Sequence, residues 1–113
     1  MKTLTKEQLK EMIDKKEDFV LVNVLSSEYF EQQHIPTSVN ISIGDEDFEN
    51  KIKEKIKDKN KKIVVYCASF ECQASPKAAE KLTKMGYKNV FDYEGGIKDY
   101  CSSNTCASSA KAE

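Results

Sequence analysis

The chain contains no arginine; all 18 of its basic residues are lysine. That absence removes the side chain whose planar fork grips sulfate- and phosphate-like anions through paired hydrogen bonds. Long apolar runs are missing too, and nothing approaches the ~20 consecutive apolar residues of a membrane span. Net charge is nearly absent: 33% of residues are charged, yet the balance is -1, which argues against nucleic acid or membrane partners. The start, Met1-Lys2-Thr3-Leu4-Thr5-Lys6-Glu7, is polar and mixed in charge, so no secretory signal is read and a cytoplasmic location is expected. Cys101 and Cys106 lack the tight paired spacing of a zinc site, and the single histidine, His34, is far off in sequence, so no metal is expected, and no organic cofactor is expected either.

Four cysteines are present: Cys67, Cys72, Cys101 and Cys106. Without an export signal, a reducing compartment favours free or catalytic thiols over structural disulfides. Cys67 is the informative one. It closes the most apolar strand-like run, Ile63-Val64-Val65-Tyr66, and a helix start follows shortly after. Ser75 reads as an N-cap, Pro76 as a first helical residue, and Lys77 to Leu82 as helix formers. The segment between, Ala68-Ser69-Phe70-Glu71-Cys72-Gln73-Ala74, becomes a loop whose backbone N–H groups can converge on one sulfur. The positive end of the helix dipole favours an anion there, and such settings bring cysteine pKa values to roughly 3.5–7.5. Cys67 is therefore expected to be a reactive thiolate, against the alternative of a small apolar residue ending a buried strand.

The rest of the chain alternates apolar runs with helical periodicity, the pattern of a parallel α/β sheet. Thr5 and Gln8 have capping-box spacing before Leu9, Met12 and Ile13. Phe19 to Val24 is nearly continuous apolar, Val39-Asn40-Ile41 is a short strand candidate, and Asn89 to Tyr93 is another. Ser26 or Ser27 heads a short helix that His34-Ile35-Pro36 ends. Phe48, Ile52 and Ile56 make a thin apolar stripe on a lysine-rich helix. A helix from Ser75 stops at Gly86. Gly95-Gly96 implies unusual backbone angles or a close backbone approach. After Tyr100 the composition turns to serine, alanine and cysteine. Residues 101–113 are thus expected to be a flexible tail appended to a single domain over residues 1–100.

Taken in order, these segments resemble a rhodanese-like domain, the small sulfurtransferase module. The carriers are Val20 to Val24, Glu28-Tyr29-Phe30 through His34-Ile35-Pro36, Val39-Asn40-Ile41, Val64 to Cys67, Ala78 to Leu82, Gly86 to Val90 and Glu94-Gly95-Gly96-Ile97. The resemblance spans about Leu4 to Tyr100. It implies a five-stranded, mostly parallel sheet with helices on both faces. It also implies that Cys67 takes a sulfane sulfur as a persulfide and passes it to a nucleophile, with residues Ala68 to Ser75 as the substrate-binding loop.

Departures from the family pattern concern the substrate. Asn23-Val24-Leu25 stands where Asp-Val-Arg is usual, and Tyr100 where tryptophan is common. The stretch from Cys67 to Ser75 is longer by about two residues when aligned on the following helix. That stretch holds Glu71 and no basic residue, so it repels dianionic thiosulfate; each lost charge-assisted contact is worth about 1.5–3 kcal/mol. A small neutral sulfur donor or a protein-borne persulfide donor or acceptor suits it better. Phosphatase and arsenate reductase chemistry, which need an arginine for the transferring group, are not expected.

Three cysteines stay open as resolving or relay thiols. Cys72 either attacks a persulfide on Cys67 or is a loop residue without a partner. Cys101 and Cys106 either accept sulfur from Cys67 or belong to an unconstrained tail. His34, before Ile35-Pro36, is read as holding backbone at a turn rather than as a base. The alternative to an enzyme is a non-catalytic binding or redox-sensing module on the same fold.

Overall fold

The computed structural model describes residues 2–102 and 106. Five strands alternate with five helices: β1 Lys2–Thr3, α1 Lys6–Asp14, β2 Phe19–Asn23, α2 Ser27–Gln32, β3 Val39–Asn40, α3 Phe48–Lys55, β4 Lys62–Tyr66, α4 Ala74–Lys84, β5 Asn89–Tyr93 and α5 Gly96–Cys101. The strands form one sheet in the order β1-β5-β4-β2-β3. Every pairing is parallel, with Leu21 opposite Val64 and Val65 opposite Asp92.

The period of two along the strands divides the core into two layers. Val22, Val24, Ile63, Val65, Cys67 and Val90 face one side, where Phe48 and Ile52 of α3 and Ala78, Ala79 and Leu82 of α4 cover them. Leu21, Val64, Tyr66 and Tyr93 face the other, under Leu9 and Met12 of α1 and Tyr100 of α5. Strand β4 is buried on both faces, which is why its sequence shows no polar alternation.

Local signals explain several boundaries. Thr5 caps α1 through a reciprocal capping box: its Oγ1 accepts from the Gln8 amide (3.1 Å), and the Thr5 amide donates to Gln8 Oε1 (2.9 Å). After α4 the chain turns at Gly86 with φ +101°, a region other residues avoid. At the end of β2, buried Asn23 folds back on the chain, accepting from the Leu25 amide (2.9 Å) and donating to Tyr66 Oη (3.1 Å). Tyr66 Oη also accepts from the Ile35 amide (3.1 Å) and pairs with the Ser38 hydroxyl (2.8 Å). One phenol thus ties β4 to the segment between α2 and β3. His34 stacks on Phe30 and bonds the Phe30 carbonyl through Nδ1 (2.7 Å), holding backbone at the turn. No helix among the described residues is long and apolar enough to cross a membrane.

Candidate active site

The sheet order puts β4 at the centre, between β5 and β2, so the carboxyl end of β4 opens onto the middle of the sheet edge. Ligands of open α/β sheets bind at that end. Cys67 is the first residue past β4 and is 1% exposed, its thiol lying among apolar side chains. The next six residues, 68–73, form the loop, and α4 begins at Ala74.

Ser75 therefore does not cap the helix, contrary to the sequence expectation. Gln73 occupies that place without a side-chain cap bond. Ser75 sits in the first turn, buried, with its hydroxyl 3.5 Å from Cys67 Sγ. At that position the side chain faces the sheet, and the sulfur engages the hydroxyl that would otherwise turn back to the backbone. Ala74 and Ser75 belong to the helix, and the loop itself ends at Gln73.

The loop is folded by one internal backbone bond, from the Cys72 amide to the Ser69 carbonyl (3.1 Å). The amides of Ala68, Ser69, Phe70, Glu71 and Gln73 donate to no acceptor among the described residues. Cys72 is turned back toward the strand end and is joined to Cys67 as a disulfide, with a Cα–Cα separation of 6.4 Å. The expectation of free thiols is thus not met at this pair. A tight turn over five residues places the two sulfurs together, which composition alone does not reveal.

Helix α5 supports the loop from the other side. The Ile97 amide donates to the Cys67 carbonyl (3.0 Å) and the Lys98 amide to the Ala68 carbonyl (2.9 Å). Gly96 makes this docking feasible: its φ is +64°, and a Cβ there would lie 2.8 Å from the Ser69 nitrogen and collide with the Cys67 carbonyl. The close approach implied by Gly95-Gly96 is the approach to the nucleophile's own backbone.

A cleft of about 370 Å³ lies between loop and helix, lined by Ser69, Phe70, Glu71, Lys98, Asp99 and Ser102. Phe70 is 67% exposed at its edge. Lys98 supplies the cation that the loop lacks, Asp99 pairs with Lys6 (3.9 Å), and Glu71 is the carboxylate of the loop itself. Asp99 also accepts from Tyr93 Oη (2.7 Å), and burial first, then that bond, push the Tyr93 phenol up.

Asp92, opposite Val65 in the sheet, is fully buried on the Cys67 side. Burial pushes its carboxyl pKa up, with the Ser75 hydroxyl opposing and the Glu94 charge adding. Lys98 and Asp92 are both missed by sequence reasoning: one comes from a helix not foreseen, the other hides in an ordinary strand pattern. Cys101 closes α5, is bonded to Cys106, and packs with it against the second core layer. Among the described residues those two sulfurs pair with each other and are not brought to Cys67. The other residues of the expected tail, 103–105 and 107–113, lie outside the described ones.

Residues 5–109 match the family model of the rhodanese-like domain. The chain is 28% identical over 87 residues to the thiosulfate sulfurtransferase GlpE of Coxiella burnetii, covering 76% of this chain and 75% of that one. It is 32% identical over 78 residues to the thiosulfate sulfurtransferase PspE of Escherichia coli, covering 69% and 70%. Among solved structures, a protein from Bacillus halodurans superposes with a TM-score of 0.85 at 28% identity, covering 99% of this chain and 82% of that one.

Proposed function

The chain belongs to the rhodanese-like family, and on that premise we propose that it is a sulfurtransferase carrying sulfane sulfur as a persulfide on Cys67. The observation that carries this reading is the setting of Cys67. It lies buried past the central strand, ahead of α4, beside a loop whose amides, Cys72 apart, have no acceptor among the described residues. In its reduced state the Cys67 thiolate attacks the sulfane sulfur of a donor. A new S–S bond forms on Sγ, the donor's S–S bond breaks, and its electron pair leaves with the donor remnant. The loop amides, the Ser75 hydroxyl and the start of α4 offset the negative charge on sulfur at each stage. An acceptor thiolate then attacks the outer sulfur, and Cys67 returns as thiolate. No metal or organic cofactor takes part in these steps.

Glu71, in a loop that holds no basic residue, favours a neutral or protein-borne persulfide over dianionic thiosulfate, although the named relatives are thiosulfate sulfurtransferases. The test is mass spectrometry of the reduced protein after a sulfane-sulfur donor. Gain of one sulfur on Cys72→Ser, where no second thiol adjoins Cys67, and none on Cys67→Ser is expected; no gain on Cys72→Ser with thiosulfate, polysulfide or an alkyl persulfide would sink the proposal. The Cys67–Cys72 bond favours a second reading, a redox-sensing module. That reading requires the disulfide to form under mild oxidant while Cys72→Ser takes up no sulfur from any donor.

A further inference from the structure

The reading of Cys67 as sulfur carrier leaves Cys72 without a role, and the fold has brought it to bonding distance of the carrier. The separation of 6.4 Å between their Cα atoms lies inside the span a disulfide bridges without backbone movement. The turn closed by the Cys72 amide on the Ser69 carbonyl aims Cys72 inward. Half-buried, it packs against the same apolar cluster that holds Cys67. The neighbour of Cys67 on α4, the Ser75 hydroxyl, lies 3.5 Å from Sγ and is no competitor for sulfur.

Resting on that reading of Cys67, we propose that Cys72 is a resolving thiol, and that the domain releases its sulfane sulfur as hydrosulfide rather than only handing it on. The Cys72 thiolate attacks Cys67 Sγ, the inner sulfur of the persulfide. An Sγ–Sγ bond forms, the bond to the outer sulfur breaks, and the outer sulfur departs with the electron pair as hydrosulfide. The sulfane sulfur gains two electrons, and the two cysteines lose two in becoming a disulfide. An external dithiol reductant restores both thiols by exchange, so a cycle converts sulfane sulfur and dithiol into hydrosulfide and disulfide. Hydrosulfide is a better leaving group than an alkyl thiolate, because its conjugate acid is stronger. Attack at the inner sulfur is selected because the fold already makes the bond that this attack forms.

Reduced, desalted full-length protein is given inorganic polysulfide under anaerobic conditions, without added thiol. Released sulfide is trapped and quantified, and the protein is alkylated and read by mass spectrometry. Wild type is expected to release sulfide and end as the Cys67–Cys72 disulfide. Cys72→Ser and Cys72→Ala are expected to hold the persulfide on Cys67, with release slowed on the order of 100-fold. The double variant Cys101→Ser/Cys106→Ser is expected to behave as wild type. A wild type that keeps its persulfide while Cys72 stays open to alkylation overturns the resolving role and leaves the carrier reading intact. Equal sulfide release from the Cys72 variants overturns it as well. If neither Cys72 variant takes up sulfur, the carrier reading itself has failed.

Discussion

Replacing Gly96 with alanine tests whether the nucleophile loop depends on α5 for its shape. Two penalties add. The residue sits at φ +64°, where a Cβ costs about 1–2 kcal/mol through contact with the following carbonyl. The same Cβ would press on the backbone of Cys67, Ala68 and Ser69. Relief requires α5 to back away, which breaks the bonds from the Ile97 and Lys98 amides to the Cys67 and Ala68 carbonyls; each contributes about 1 kcal/mol. The expected loss is about 3–4 kcal/mol, or a fall in Tm of roughly 10–15 °C for a domain of this size. Urea unfolding of the reduced protein measures the first quantity, and the rate of Cys67 alkylation reports the loop. Gly96→Ala should unfold at lower urea and alkylate faster at Cys67 under native conditions. A loss below about 1 kcal/mol with unchanged alkylation would show that the docking contributes little and that the argument is wrong.

Three further outcomes follow from the same structure. Tyr66→Phe strands the buried Ile35 amide and the Asn23 amide group that the phenol oxygen now accepts from, and should lower stability by about 2–4 kcal/mol in urea; a change within experimental error would refute the hub role. Asp92 has its pKa raised by burial above its ordinary 3.8, so its protonated form is favoured in the folded state. The stability from that proton is full below 3.8 and is lost as pH rises through the raised folded value. Asp92→Asn should therefore flatten the fall in stability between 3.8 and that raised value, as read by denaturation at several pH values, and an unchanged slope would count against it. Glu71→Gln removes one exposed negative charge from the cleft rim and should raise kcat/KM for thiosulfate about 1.5–5-fold, with little change for a neutral persulfide; an equal effect on both donors would remove the electrostatic explanation.

The elements legible in the sequence are those that rest on local rules. The capping box of Thr5 and Gln8, the stripe of Phe48, Ile52 and Ile56, and the stop at Gly86 all act within a few residues. The apolar runs around Leu21 and Val64 mark doubly covered strands because burial on two faces leaves no polar alternation. Strand β1 escaped because its two residues are exposed and gain their conformation only by pairing with Phe91 and Asp92. Helix α5 escaped because its glycine start reads as a turn until the loop it packs on is in place. The misplaced start of α4 has the same origin: a serine before a proline reads as a cap, yet Ser75 is turned to Cys67 by the sheet beneath it.

By itself the sequence determined that this is a parallel α/β domain of the rhodanese-like kind, with a thiol where β4 gives way to α4. Strand burial, helix capping and glycine turns are encoded by neighbours along the chain. Only the tertiary structure decided the company Cys67 keeps. It turned Cys72 back onto the sulfur, aimed the Ser75 hydroxyl at it, buried Asp92 on the same face, and carried Lys98 and Asp99 to the cleft. Those residues meet through sheet order and loop closure, and their proximity depends on distances that no local pattern records.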